Sequence, residues 1–376
     1  MRNRDPNHLF RSIDGCKRLH IRYGSRMPDA ASLSPEVNMA DVAKRAGVSI
    51  ATVSRALREV PGVSPATRAR IREIADELSY VVSPEASRLS KGRTGRVAVV
   101  VPTIDYWFYS AMLSSVDSVL RRAELDVLIY QVDGEEQRRR FFQDLPARRK
   151  VDAVILIALP VLQDEERRLD LLGVQVVVAG GRLREYPHVE GNDHQAATQA
   201  MQHLLDLGHR RIAMIRTSDT TGAAWSSDIE RTRAFRESLR NAGLPWRDDY
   251  LETQPFGVRA GADGMAALLA LPEPPTAVFA YSDEIAFSAW VHLTARGLRV
   301  PDDMSIVAVD GHPFAEVAGL TTVDQRVHLQ GELAGEMALA IIRGEALDEP
   351  SLVVPAHLIQ RASTAAPPDT RSRPSF

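Results

Sequence analysis

The sequence predicts an α/β protein: a small N-terminal helix-turn-helix domain of three helices, then two lobes that each contain a parallel β-sheet. Residues 38–80 contain three short helical patterns, each with a capping residue at its start. From residue 96 onward, apolar runs of strand length alternate with helical patterns, which is typical of parallel sheets covered on both faces. About 270 residues of such alternation exceed one compact unit, so two lobes are expected.

The three N-terminal helices have recognisable starts and stops. Asn38 is predicted to cap the first helix, which Gly47 ends by accepting a left-handed conformation. Ser49 is predicted to cap the second helix, and Ser64 the third, with Pro65 at its first position. One small apolar core is expected from Val42, Ala43, Ala46, Val53, Leu57, Ile71, Ile74, Ala75 and Leu78. Two short helices joined by a glycine turn describe a helix-turn-helix.

The remaining chain divides into a polar connection and the two lobes. The segment SPEASRLSKGRTG, residues 83–95, is too polar for a core. Strands are predicted at 96–102, 125–132, 151–158, 174–179, 211–216, 276–281 and 304–309. Helices are predicted near 109–123, 161–172, 229–242, 260–271 and 283–297.

Composition excludes several classes of protein. Of 376 residues, 44% are hydrophobic and 25% charged, which is typical of a globular protein of several domains. No apolar run reaches the roughly 20 residues that span a bilayer. The N-terminus lacks the apolar core of a secretion signal, so a cytoplasmic, nucleoid-associated protein is expected. A single cysteine, Cys16, allows no internal disulfide or thiolate cluster, and neither metal nor cofactor is predicted.

Charge is unevenly distributed along the chain. Residues 38–94 hold ten Lys/Arg against six Asp/Glu, whereas the whole chain has a net charge of −3. A basic N-terminal domain on an acidic remainder indicates a polyanionic partner for that domain.

The second helix has the composition expected of one that enters the major groove of DNA with its N-terminal residues at base edges. Ser49, Thr52 and Ser54 carry short hydroxyls that can donate to phosphates. Ile50 and Ala51 are apolar or small at the exposed start of the helix, where they can meet base edges. Arg55 can form the bidentate bond to guanine that arginine makes most often. A small helical bundle with a serine-rich surface is the alternative interpretation.

Motifs along most of the chain resemble those of one known family. Residues 37–80, VNMADVAKRAGVSIATVSRALREVPGVSPATRARIREIADELSY, resemble the DNA-binding domain of the lactose/galactose repressor (LacI/GalR) family. The resemblance continues through LGHRRIAMI, PTAVFAYSDEIAFSAW and LTTVDQ, and covers about 37–364. It implies a homodimeric transcriptional regulator with a helix-turn-helix and a two-lobed effector domain similar to periplasmic sugar-binding proteins.

The resemblance implies a DNA-binding domain 37–82, a hinge 83–94 and a two-lobed effector-binding and dimerisation domain 95–364. It leaves outside a tail 365–376, predicted to be disordered, and an N-terminal extension 1–36, which lacks sustained periodicity and is also predicted to be disordered. The tail has no heptad repeat, so dimers rather than coiled-coil tetramers are expected.

In the DNA-binding domain, the resemblance implies two groups of contact residues. The base readers would be Ile50, Ala51 and Arg55, and the phosphate contacts would be Ser49, Thr52, Ser54, Ser64 and Thr67. Leu89 occupies the place of the hinge leucine that is wedged into the minor groove. The hinge departs from the family pattern, because Val82 stands where a proline is usual and Glu85 where an apolar residue packs the paired hinge helices.

For the effector site, the resemblance implies residues in the cleft between the lobes. They are Phe108, Tyr109, Asn192, Arg231, Phe256, Ser282 and Asp310. Asp310 also stands out physically, because a carboxylate at the end of an apolar strand needs a polar partner. A carboxylate, a guanidinium and a stacking ring suit a sugar or sugar derivative, and a purine or nucleoside has similar chemistry.

The sequence disfavours two other classes of protein, an enzyme and a solute-binding protein of a transporter. An enzyme is disfavoured because the chain has no Gly-x-Gly-x-x-Gly after its first strand, no Walker loop and no metal-ligand spacing among its histidines. A solute-binding protein of a transporter would share the two lobes but have no use for residues 38–94. Among regulators, a repressor is expected, and the sequence leaves open whether its effector is an inducer or a corepressor.

Overall fold

The computed structural model describes residues 37–80, 93–218 and 225–368. The chain divides into two compact units, Met1–Pro84 and Glu85–Phe376, which we call the head and the body. The extension 1–36, residues 81–92 with Val82, Glu85 and Leu89, and the end of the tail lie outside the described residues. Among the residues that are described, no helix is both long and apolar enough to cross a membrane.

The described part of the head, residues 37–80, contains three helices whose predicted caps are confirmed. They are α1 (Met39–Ala46), α2 (Ile50–Leu57) and α3 (Pro65–Glu77). The Asn38 side chain accepts hydrogen bonds from the amides of Ala40 and Asp41, and the Asp41 carboxylate accepts one from the Asn38 amide, which forms a capping box. Gly47, at φ 68°, ends α1 in the left-handed conformation that permits the tight turn.

The head has a small apolar core, as predicted. Its buried residues are Val42, Ala43, Ala46, Val53, Ala56, Ile71, Ile74 and Ala75. The predicted core residues Leu57 and Leu78 are only partly buried and pack against this cluster. An ion pair between Arg45 and Glu77, with 3.2 Å between nitrogen and oxygen, joins α1 to α3 on the surface.

The body contains two six-stranded sheets, one in each lobe. The first-lobe sheet has the order β11-β5-β4-β3-β1-β2 and is parallel throughout. Its strands are β1 (Arg96–Val101), β2 (Asp126–Gln131), β3 (Ala153–Ile157), β4 (Gln175–Ala179), β5 (His188–Gly191) and β11 (Ser351–Val354). The central strands β1 and β3 are almost fully buried, which explains their continuous apolar sequence.

The second-lobe sheet has the order β12-β10-β9-β8-β6-β7, and only the β10–β12 pair among these strands is antiparallel. The strands are β6 (Ile212–Ser218), β7 (Leu251–Pro255), β8 (Ala277–Ala280), β9 (Ser305–Asp310), β10 (Thr321–Asp324) and β12 (His357–Ile359). All seven strands predicted from the sequence are present, whereas β5, β7, β10, β11 and β12 were not predicted.

Helices flank both sheets. In the first lobe they are α4 (Trp107–Arg122), α5 (Gly134–Asp144), α6 (Gln163–Leu169) and α12 (Val327–Arg343). In the second lobe they are α7 (Asp193–Asp206), α8 (Ser226–Asn241), α9 (Ala260–Leu269), α10 (Asp283–Ala295) and α11 (Pro313–Ala318). The chain crosses between the lobes three times: after β5, after β10 and after β11.

Helices α4 and α12 approach each other closely in the first lobe. A Cβ atom on Gly331 would lie 2.6 Å from the Met112 carbonyl oxygen, and one on Gly335 would lie 2.9 Å from Cβ of Val119. Glycine is required at both positions because any side chain would push the helices apart. The two helices therefore form a rigid pair.

A buried histidine anchors the end of the body. The His209 ring lies within hydrogen-bond distance of the Thr276 hydroxyl through Nδ1 (2.8 Å) and of the Ala365 carbonyl oxygen through Nε2 (2.8 Å). Burial lowers the pKa of His209, which favours a neutral ring that donates from Nε2 and accepts at Nδ1. His209 therefore ties Ala365 to the second lobe.

Candidate functional sites

Helix α2 presents an exposed surface made of the residues that were predicted to read DNA. Ser49, Ile50, Ala51 and Arg55 are exposed, and Thr52 and Ser54 are half-buried. The Ile50 side chain is 52% exposed although it is apolar. The same helix buries Val53 and Ala56 in the core of the head, so the outer face is free for a partner.

The phosphate-contact candidates form the same arrangement at the starts of α2 and α3. The Ser49 hydroxyl accepts a hydrogen bond from the Thr52 amide at 3.1 Å and lies 2.9 Å from the Thr52 hydroxyl. The Ser64 hydroxyl does the same with Thr67, at 3.2 and 2.8 Å. Each pair places two hydroxyls at a positive helix end, which is a favourable site for a phosphate oxygen.

The body contains a cavity between its two lobes, which we call the inter-lobe cavity. It lies at the carboxyl ends of the parallel strands, where ligands bind in open α/β sheets. Six of the seven effector-site candidates line it: Phe108, Tyr109, Arg231, Phe256, Ser282 and Asp310. Asn192 is not among the lining residues, and its side chain instead accepts a hydrogen bond from the Gln195 amide at 2.9 Å as the cap of α7.

Arg231 is held rigidly beside the cavity. Its side chain is 3% exposed, and its Nε and Nη2 lie 2.8 and 2.7 Å from Oδ1 of Asp193. Its Nη1 donates to the Tyr281 carbonyl oxygen, and its guanidinium lies 4.5 Å from the centre of the Tyr281 ring. Burial works against its charge, but Asp193 and other acidic groups outweigh burial and raise the pKa of Arg231. Most of its donors are already satisfied.

Asp310 is a buried acid at the end of β9. Its side chain accepts a hydrogen bond from the Gln325 amide at 2.6 Å, which supplies the polar partner that its position requires. Burial, and then the neighbouring Asp283, raise the pKa of Asp310 well above its usual range. The backbone φ of Asp310 is 147°, a conformation that side chains rarely adopt. Such strain is typical of residues whose position matters for function.

Three aromatic rings meet where the two lobes join, and two of them, Trp225 and Phe256, line the cavity. The rings of Tyr106 and Phe256 are 4.4 Å apart edge to face, and those of Trp225 and Phe256 are 5.6 Å apart. Tyr106 comes from the first lobe and the other two from the second. Phe256 therefore sits at the junction of the lobes and not within either core alone.

Among the described residues, two buried polar atoms of the cavity lining have no hydrogen-bond partner: Nε1 of Trp225, a donor, and Oε1 of Gln330, an acceptor. Buried polar groups are normally paired, so unpaired ones in a cavity wall indicate a polar ligand or ordered water.

Several lining residues were missed by the sequence prediction. They are Asp193, Trp225, Ser227, Tyr281, Glu284, Gln325 and Gln330. Tyr281 and Gln325 directly follow strands, so their position at a carboxyl end could have indicated them. Trp225 and Gln330 carry no such signal. Trp225 reaches the cavity from the start of α8, and Gln330 reaches it from within α12.

A helix-turn-helix head on a two-lobed body with a polar cavity defines the class of ligand-responsive, DNA-binding regulators. Residues 38–83 match the model described as bacterial regulatory proteins, lacI family, and residues 201–364 match that of a periplasmic binding protein-like domain.

Curated relatives match over almost their whole length. The transcriptional regulator DegA of Bacillus subtilis is 30% identical over 86% of this chain and 97% of its own. The repressor CytR of Escherichia coli is 30% identical over 88% and 97%, and the regulator CelR of Thermobifida fusca is 32% identical over 86% and 96%. The chain belongs to the lacI family and is a DNA-binding transcriptional regulator.

Solved structures agree with this assignment. A CelR–cellobiose complex has a TM-score of 0.65 at 30% identity and covers 87% of this chain and 99% of its own. A lac repressor dimer bound to operator and an anti-inducer has a TM-score of 0.76 at 22% identity, covers 88% of this chain and 99% of its own, and shows the same fold.

Proposed function

We propose that the protein is a homodimeric repressor that binds an inverted-repeat operator and is controlled by an uncharged, hydroxyl-rich carbohydrate in the inter-lobe cavity. Its proposed place of action is chromosomal DNA in the cytoplasm. The observation that carries the proposal is the chemistry of the cavity: carboxylates, aromatic faces and unpaired polar atoms at the junction of two lobes.

The charges around the cavity favour a neutral ligand. Its described lining residues include three acids, Asp193, Glu284 and Asp310, and a single basic side chain, Arg231. Arg231 is already engaged by Asp193. A sugar phosphate or a uronate would therefore bring its negative charge into a lining that carries three acidic side chains and no cation left free to pair with it among the described residues. Sugar hydroxyls can donate to those same carboxylates, and a sugar ring can stack on Phe256.

The likeness to CelR supports this class of ligand, because CelR was solved with cellobiose. Nucleosides remain the competing class, since their riboses carry the same neighbouring hydroxyls. A nucleoside base would need one hydrogen-bond donor and one acceptor from the protein. Nε1 of Trp225 could supply the donor and Oε1 of Gln330 the acceptor.

For the DNA-binding side, we propose that Ile50, Ala51 and Arg55 contact base edges and that the Ser49–Thr52 and Ser64–Thr67 pairs, with Ser54, hold phosphates. Supporting this, α2 exposes an apolar isoleucine, which is unfavourable in water, and also exposes Arg55, and both side chains suit a groove of DNA.

The homodimer is supported by an exposed apolar surface on the second lobe. One groove is lined by Val258, Phe287, Val291 and Phe314. Three of these side chains are largely exposed: Val258 is 82%, Val291 69% and Phe314 65% exposed. An apolar patch of this kind marks a protein interface. A second copy of the chain is the proposed occupant, because a symmetric pair of heads matches an inverted repeat.

Regulation would act through a change in the angle between the lobes. The three crossovers permit the lobes to rotate, and a ligand that touches both would favour one arrangement. It can shift DNA affinity only through its different affinity for the two arrangements.

The decisive experiment is to sequence the genomic DNA that the purified protein retains, and then to titrate the recovered site in the presence of neutral sugars, nucleosides, uronates and sugar phosphates. An inverted repeat whose affinity changes with a neutral sugar is expected. Equal affinity for random DNA, with or without these compounds, would rule the proposal out, and a response to a sugar phosphate would rule out the ligand class.

A further inference from the structure

Helix α4 has no capping side chain of its own. Tyr106 occupies the N-cap position and makes no side-chain hydrogen bond to the helix. The first amides of a helix have no partner within it, so they need an acceptor from elsewhere. In α4 the amide of Trp107, the first helical residue, donates to Oε1 of Glu284 at 3.2 Å.

This acceptor comes from the other lobe. Glu284 lies in the first turn of α10 in the second lobe, whereas α4 belongs to the first lobe. The carboxylate thus lies at the positive ends of two helices, its own and α4, across the cleft. The contact extends to side chains, because the Trp107 ring lies 5.0 Å from that of His312 in the second lobe.

Glu284 also lines the inter-lobe cavity. Its second carboxylate oxygen accepts no hydrogen bond from a described residue. Burial raises the pKa of Glu284, while the hydrogen bond from Trp107 opposes this effect. The side chain therefore connects the cavity to the start of α4, and α4 is fixed to α12 by the close approach at Gly331.

We propose that Glu284 is a positioning residue that holds the two lobes in the arrangement of this structure by capping α4 across the cleft. The contact itself does not depend on the proposed function. One consequence rests on that function: a ligand bound at this wall of the cavity would act on α4 through the Glu284 carboxylate. A structural role within α10 alone would leave α4 unaffected by its loss.

The experiment measures the ligand-free, full-length protein without DNA, so its outcome does not depend on the proposed function. Amide exchange is followed at Trp107 by mass spectrometry with fragmentation to single residues. Lobe spacing is followed by electron–electron resonance between spin labels at Arg139→Cys and Thr294→Cys, after Cys16→Ser, in dimers diluted with unlabelled chain. Arg139 and Thr294 are exposed and lie in different lobes.

Three variants separate the possibilities. Glu284→Ala should speed exchange at Trp107 by about 2- to 30-fold, the range that corresponds to loss of a helix cap, and should lengthen the distance between labels. Glu284→Gln keeps an oxygen acceptor and should restore most of the protection. Glu316→Ala removes an exposed acid from α11 and should behave as the wild type.

Unchanged exchange at Trp107 and unchanged lobe spacing in Glu284→Ala would overturn the proposal. Uniformly faster exchange in α4, α8 and α12 would overturn it as well, because it would show a general contribution to folding and not a specific cap.

Discussion

The head and the body hold their functional side chains in opposite ways. In the head, Ile50 and Arg55 are exposed, and the caps that set α2 come from within three residues of sequence. In the body, Arg231 and Asp310 are buried, and their partners Asp193 and Gln325 are 38 and 15 residues away. The proposed base-reading residues of the head can therefore change without loss of stability, whereas in the body binding and stability are coupled.

The largest effect should follow from the loss of Arg231. Arg231→Ala leaves the Asp193 carboxylate without its buried counter-charge, which should lower the free energy of unfolding by about 3–5 kcal/mol, measured by urea denaturation. Arg240→Ala, an exposed arginine of the same helix, should change it by less than about 0.5 kcal/mol. The double variant Arg231→Met/Asp193→Leu should recover much of the stability and still fail to respond to effector. Equal stability of Arg231→Ala and wild type would contradict the coupling.

In the head, Arg55→Ala should weaken operator binding by about 1–3 kcal/mol and relax discrimination at one base pair in each half-site, with no change in unfolding. Competition titrations with single-base operator variants measure this. Arg70→Ala on α3 provides an exposed control within the head. If Arg55→Ala weakens binding to every sequence equally, Arg55 contacts phosphate and not a base.

The pH dependence of stability should show the burial of acids in the body. Asp283 is fully buried, and burial raises its pKa from 3.8 to about 6, although Thr322 and the His312 amide donate to it. Between these values the folded protein retains a proton that the unfolded chain has lost, so the free energy of unfolding should fall as the pH rises. Asp283→Asn should flatten this dependence by on the order of 1 kcal/mol. Parallel stability profiles of variant and wild type between those pH values would show that Asp283 does not titrate there.

The smallest effects are expected at the helix caps of the head. Ser49→Ala and Ser64→Ala should each cost about 1 kcal/mol of head stability, because each removes the acceptor of a first-turn amide. If these hydroxyl pairs also hold phosphates, each variant should weaken binding to operator and to random DNA by a similar factor, because a phosphate contact carries no sequence information. A loss of head stability with unchanged affinity for both kinds of DNA would restrict both serines to a structural role.

The sequence predicted the head in detail because its determinants are local. Asn38, Ser49 and Ser64 accept hydrogen bonds from amides at most three residues away, and Gly47 ends α1 through its own backbone conformation, so their effect is visible in the sequence itself. The central strands were predicted for a similar reason, since burial on both faces makes them continuous apolar runs. The strands β5 (HVEG), β7 (LETQP) and β10 (TTVD) were missed because they are short and polar. Only neighbours distant in sequence stabilise them.

The inter-lobe cavity was predicted in part. Arg231, Phe256 and Asp310 were found through the family resemblance, and the structure places them together. Their roles in binding stay predictions. Trp225, Glu284 and Gln330 were missed because they reach the cavity only through the packing of helices from different parts of the chain. No pattern of spacing in one sequence reveals that kind of proximity.

The three crossovers have a consequence for how the chain matures on the ribosome. The first-lobe sheet takes β11 (Ser351–Val354) at its edge, and the second-lobe sheet takes β12 (His357–Ile359), so neither lobe can finish before these two late strands are translated. Among the described residues, the core of the head is formed within residues 39–80, so the head can fold as soon as it emerges. A nascent chain would therefore acquire its capacity to engage nucleic acid well before it acquires any means of sensing metabolites.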